Sequence, residues 1–151
     1  MAAVSYRDPA VAGFIEEHTV PVHFNAKEEA NADVVGRYLQ MWTPTIHLLL
    51  PDGRSGYEHV GYLPPEPFLA SLELGLAKTD LRRRDYAAAA ERFERIRDLR
   101  PTSHVADEAA YWAAVARYNE SGQRDGLLAG WQKLRKRYPQ SIWRWKQSFN
   151  E

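Results

Sequence analysis

The sequence predicts a mixed α+β half with a small, incomplete sheet, followed by an all-α half. Three observations carry this. Strand-like runs, Val20–Phe24, Thr45–Leu50 and Tyr57–Tyr62, are confined to the early chain. From Pro64-Pro65 onward apolar residues recur only at helical spacing, beginning with Phe68, Leu69, Leu72 and Leu76. With 44% of its 151 residues hydrophobic and 12% aromatic, the chain can bury the core of one ordinary domain or two small ones.

Taken in order, Asp8-Pro9 starts a helix, since Asp suits the N-cap and Pro the first helical position. Val11, Phe14 and Ile15 share its apolar face, and the segment stops near His18-Thr19. Val20-Pro-Val-His-Phe24 then reads as a strand, with Pro21 placing it at an entry or edge because proline donates no ladder hydrogen bond. Lys27 to Gln40 reads as a helix with Val34, Val35, Tyr38 and Leu39 as its stripe, interrupted at Trp42-Thr-Pro-Thr45. Thr45-Ile-His-Leu-Leu-Leu50 is apolar enough to be a strand buried on both faces. The turn Pro51–Arg54 leads into an antiparallel partner over Tyr57–Tyr62. A joining helix over residues 66–82 follows, then helices over Tyr86–Leu99, Ser103–Asn119, Arg124–Tyr138 and Ser141–Phe149, punctuated by Pro101, Gly122 and Pro139.

Charge and cysteine content exclude several function classes. Twenty basic residues balance twenty acidic ones, so no bulk field favours nucleic acid or an anionic membrane. With no cysteine, the chain has no disulfide framework, no thiolate metal site and no Cys nucleophile. No apolar run approaches the ~20 residues that span a bilayer. The first residues carry no apolar core of signal-peptide length, so the expected location is cytoplasmic.

The helical half repeats itself at an offset of about 38 residues: Ala89, Phe93, Ile96 and Pro101 correspond to Leu127, Trp131, Leu134 and Pro139. Small residues on a first helix (Gly75, Ala77; Ala113, Ala114) admit a second helix closely. A large aromatic on that second helix fills the gap, and a proline ends the unit. The stretch Gly75-Leu-Ala77, Leu81, Tyr86, Ala89, Phe93, Pro101 resembles a tetratricopeptide repeat, with Ala77, Tyr86, Ala89, Phe93, Pro101, Trp131, Leu134 and Pro139 as the repeat core. The second unit departs from that pattern, being longer than the usual ~34 residues and carrying Trp131 where the pattern has Phe. Ser141–Phe149 would cap the array, with Ile142, Trp145 and Phe149 facing inward and Trp143 outward.

The first half resembles a thioredoxin-like domain from the end of its first core helix onward. Asp8-Pro9-x-Val11-x-x-Phe14-Ile15, Val20-Pro21-Val22, Trp42-Thr43-Pro44-Thr45, Pro51-Asp-Gly53 and Gly61-Tyr62 carry the resemblance over about residues 5–80. It implies that Thr43–Pro44 is cis and that Trp42, Thr43 and Pro44 form a peptide-binding loop. The family's Cys-x-x-Cys and its preceding central strand would fall upstream of Met1, leaving Val20–Phe24 and Ile46–Leu50 with unpaired inner edges. The expected organisation is thus a truncated thioredoxin-like domain over 1–80 and tetratricopeptide-like repeats over 66–151, sharing the joining helix.

Other chemistry has little sequence support. His23, His47 and His59 lie on three predicted strands, yet no short ligand spacing joins them, so no metal and no cofactor is expected. Glu16-Glu17 and Glu28-Glu29 are adjacent pairs whose members point to different helix faces. No Gly-x-Ser-x-Gly elbow or glycine-rich phosphate loop is present. Arg82–Arg84 and Lys133–Arg137 read as solvated basic faces, so neither a nucleic-acid nor a membrane partner is expected. The leading expectation is a non-catalytic module that binds a protein or peptide, with homodimerisation through the open sheet edge as a further one. The alternative is a thiol-disulfide oxidoreductase whose cysteines lie outside this sequence.

Overall fold

A computed structural model gives the fold of residues 5–147. The chain divides into two compact units, the first reaching to Leu69 and the second starting at Ala70.

In the first unit the Asp8 carboxylate accepts from the Ala10 and Val11 amides at 3.0 and 3.2 Å, opening α1 over Pro9–His18 with Pro9 in the first turn. Thr19 closes it by donating both its amide and its hydroxyl to the Ile15 carbonyl. The run Val20–Phe24, expected as a strand, joins no ladder, and Val20 is 90% exposed. Alternation sets which face side chains take, but a strand also needs a neighbour to hydrogen-bond, and Pro21 withholds one donor. The expected helix over Lys27–Gln40 shrinks to a 3₁₀ turn at Glu29–Asn31 and α2 at Ala32–Arg37. Local side-chain bonds compete with its first turn: Asn25 accepts from the Lys27 amide and donates to Glu28, and Asn31 donates to the Asn25 carbonyl. Leu39, at φ 48°, turns the chain out of helical geometry.

The hairpin forms, with shifted ends. β1 spans Thr45–Leu49 and β2 spans Ser55–Val60, so β2 starts and stops two residues before the expected Tyr57–Tyr62. They pair antiparallel, Thr45 opposite Val60 and His47 opposite Glu58, with an irregularity after Leu48. β1 is half-buried rather than covered on both faces, and among the described residues the sheet has two strands. The Asp52 carboxylate accepts from the Arg54 amide, and Gly53, at φ 81°, supplies the left-handed turn residue. The Ser5 hydroxyl donates to the Leu63 carbonyl at 2.6 Å, and Tyr6 meets the Phe68 ring edge-on at 5.6 Å.

α3, Pro65–Arg82, carries the chain into the second unit. There α4 (Tyr86–Leu99), α5 (Ala106–Ser121) and α6 (Arg124–Arg137) follow. The Asp85 carboxylate caps α4 through the Ala88 amide, and Gly122, at φ 73°, closes α5. Long-range pairs fix the helix directions. Arg92 donates to Asp80 at 2.8 Å and Arg100 to Glu73 at 2.7 and 3.1 Å, both pairs equidistant from the turn near Asp85, so α3 and α4 run antiparallel. Ala114 and Gly130 meet at equal distances from Gly122, so α5 and α6 do the same. Pairs at near-constant separation relate alternate elements: Ser71 with His104 and Lys78 with Glu108 join α3 to α5 and its approach, and Tyr138 with Pro101 joins the ends of α6 and α4. Arg117 clasps Glu94 of α4 at 2.6 and 3.0 Å and also donates to Glu120.

The core of this unit is Leu72, Leu74, Ala77, Ala89, Phe93, Ile96, a run of α5 alanines, Leu127, Trp131 and Leu134. The expected helix over Ser141–Phe149 is replaced, within the described residues, by one 3₁₀ turn at Ile142–Arg144; Phe149 lies outside them. Its inward and outward faces also exchange. Ile142 and Trp145 are exposed, whereas Trp143 packs on Tyr111 and Trp112 at 5.0 and 5.8 Å. A turn capped at Ser141 has too few residues for an i, i+3, i+7 stripe, so the spacing misassigned its faces. No helix among the described residues is long and apolar enough to cross a membrane.

The α5–α6 crossing yields a paired prediction. A Cβ on Gly130 would lie 2.7 Å from the Ala114 Cβ, whereas one on Gly126 would meet open space. Gly130→Ala is therefore expected to destabilise by about 1–3 kcal/mol through overpacking, and Gly126→Ala to stabilise by about 0.4–1 kcal/mol. Urea denaturation of the two variants checks this, and equal effects would contradict the close crossing.

Candidate functional site

The loop before β1 brings together Trp42, Thr43 and Pro44. The Thr43–Pro44 peptide is cis. The Trp42 carbonyl accepts from the Thr45 hydroxyl at 2.6 Å and the Gln40 amide group at 3.0 Å, and Gln40 also donates to the Thr43 hydroxyl. The Pro44 carbonyl accepts from the Gly61 amide at 2.9 Å, tying the loop to the end of β2. This backbone is held, while its apolar side chains are not covered: Trp42 is 69% exposed, and Leu39 and Met41 are comparably open. Met41, Trp42 and Thr43 line a shallow hollow of about 320 Å³ with Ala26, Val35 and Gln40.

The repeat-core residues fall into three groups. Ala77, Ala89, Phe93, Trp131 and Leu134 are buried, Tyr86 and Pro101 are half-buried, and Pro139 is exposed. Trp131 stacks on Tyr111 at 5.3 Å with 12° between the rings.

The histidines are not brought together as a ligand set. His47 Nδ1 lies 3.0 Å from the Ser55 hydroxyl, which itself donates to the Tyr57 carbonyl, so the imidazole N–H donates to Ser55. His104 pairs with Ser71 in the second unit, and His18 meets the Phe14 ring edge-on at 4.6 Å. Among the described residues no three His, Asp or Glu side chains cluster as a metal site.

A larger feature, a groove of about 590 Å³, lies in the second unit between α4 and α6, floored by α5. Ala110, Ala113 and Ala114 of α5 line its floor, with Gly126, Ala129 and Gly130 of α6 beside them. Glu94, Arg97 and Asp98 edge it on α4, Arg117 on α5, and Lys133 and Arg137 on α6. Arg97 donates to Asp98 at 2.7 and 2.8 Å, a bond that holds the Asp98 carboxyl below its ordinary range, with Arg137 contributing at longer distance. Tyr138 closes one end by donating to the Pro101 carbonyl, and burial raises its hydroxyl pKa. Lys133, Lys136 and Arg137 are exposed, as the sequence predicts, and two of them also edge this groove. The available signal was the i, i+4 placement of Lys133 and Arg137 one turn after Ala129 and Gly130.

These elements define a mixed α+β chain, with a two-stranded antiparallel sheet followed by helices, that carries an exposed apolar loop and a charged interhelical groove. No family model, curated protein or solved structure matches the chain.

Proposed function

We propose that the chain is a non-catalytic binding module, with thioredoxin-like character in its first unit and tetratricopeptide-like character in its second, that docks a protein or peptide at the Trp42–Pro44 loop. The observation that carries this is the exposure of Leu39, Met41 and Trp42 on a loop whose Trp42 and Pro44 carbonyls are held by hydrogen bonds. Large apolar side chains on a fixed backbone are how protein-binding surfaces differ from ordinary solvated loops. A partner then gains apolar burial without ordering the loop first. Thiol chemistry, the alternative, needs cysteines that this sequence does not contain.

The test is to pan a random dodecapeptide phage library on the full chain and synthesise the enriched peptides. Trp42→Ala and Met41→Asp are expected to weaken their binding at least tenfold while leaving the far-ultraviolet circular dichroism unchanged. Enriched peptides that bind both variants like the parent chain would overturn the assignment to this loop.

A further inference from the structure

We infer that the groove between α4 and α6 is a second, separate docking site, and that its occupant is a short acidic peptide segment with two carboxylates spaced two residues apart.

Charge accounting along the rim selects the sign. Arg97 is paired with Asp98, and Arg117 with Glu94 and Glu120. Lys133 and Arg137 make no ion pair among the described residues; the Arg137 guanidinium lies over the Tyr138 ring at 5.7 Å. Both side chains are exposed. Two cations without close counter-ions among the described residues therefore stand on one wall, while Glu94 and Asp98 on the opposite wall are already engaged by Arg117 and Arg97.

Spacing selects the motif. Lys133 and Arg137 are i, i+4 neighbours, about 6 Å apart along one helix face. Carboxylates at alternate positions of an extended chain sit about 6–7 Å apart on one side, so a Glu-x-Glu segment meets both. From Gly126 to Arg137 the wall runs roughly 16 Å at 1.5 Å per residue, room for about five extended residues. The alanines beneath, and Gly126 with open space where a Cβ would stand, let a peptide backbone come close.

A nucleic acid fits less well. The floor of the groove is alanine and glycine, which offer no platform for base stacking. This site extends the binding-module reading but lies in the other unit, so either can fail without the other.

The experiment is a ¹⁵N NMR titration of the full chain with Ala-Glu-Ala-Glu-Ala. Amides over Gly126–Arg137 are expected to shift saturably, with binding at least tenfold weaker in Lys133→Glu/Arg137→Glu and unchanged in Trp42→Ala. Ala-Lys-Ala-Lys-Ala should leave those amides unmoved, and Ala-Ala-Glu-Glu-Ala should bind more weakly than the spaced peptide. The inference is overturned by no shift at millimolar peptide, by shifts confined elsewhere, or by undiminished binding in the double variant. Equal binding of the two acidic peptides overturns the spacing, and stronger shifts with a five-residue oligothymidylate overturn the choice of peptide. Both substituted positions are solvent-facing, and circular dichroism is the check that the variant folds.

Discussion

Phe93→Ala is expected to destabilise the second unit by about 3–5 kcal/mol, a large share of the ~5–15 kcal/mol that holds a domain together. Phe93 is fully buried on the face of α4 that also presents Ala89, Ala90 and Ile96. Removing its ring takes away apolar burial and leaves a cavity. Its companions on α4 include two alanines, whose methyl groups cannot reach inward, so collapse around the vacancy is limited. Four of the five tryptophans (Trp112, Trp131, Trp143 and Trp145) lie in this unit, so their fluorescence during urea unfolding reads its stability directly. A loss within about 0.5 kcal/mol, the range of an ordinary surface change, would contradict the packing of α4.

Trp131→Ala is expected to have a comparable effect, about 3–5 kcal/mol, with a different signature. Trp131 is 2% exposed and packs with Leu127 and Ala114, with Tyr111 and Val115 against the same cluster. It also belongs to an aromatic chain that runs from Trp131 through Tyr111 to Trp143 and Trp112. Its removal should therefore diminish near-ultraviolet circular dichroism as well as stability. Trp131→Phe keeps an aromatic ring beside Tyr111, as the corresponding Phe93 position suggests, and should recover most of the loss. A near-ultraviolet spectrum unchanged in Trp131→Ala would count against the stacked arrangement.

Much of the helical half was legible because each signal there is local. Gly122 announces the end of α5 through a backbone conformation that suits glycine, and in the first unit Asp8 announces a helix start through a carboxylate that reaches amides two and three residues on. The Tyr86–Leu99 boundaries are those that helical spacing and Pro101 predict. Val20–Phe24 was misread because a strand is a relation between two segments, and alternation describes only one of them. The shortened α2 shows a different failure: Asn25, Glu28 and Asn31 satisfy backbone and side-chain groups among themselves, a competition that apolar spacing does not register.

The site divides the same way. The Trp42–Pro44 loop could be named from neighbouring residues, and its exposure then required the structure. The groove was invisible because its walls come from three helices. Whether Lys133 lacks a counter-ion depends on where Glu94 spends its charge, and that is settled by Arg117 on another helix. Lys133 and Arg137 read as ordinary solvated lysine and arginine until those partners are known.

The turn at Ile142–Arg144 has a consequence for how the last helix pair is held. The Gln147 side chain donates to the Trp131 carbonyl of α6, Tyr111 of α5 donates to the Lys146 carbonyl, and Trp143 lies against Tyr111. Residues 143–147 thus clasp α5 and α6 together away from the Gly122 turn that joins them, so loosening this short segment should loosen both helices at once.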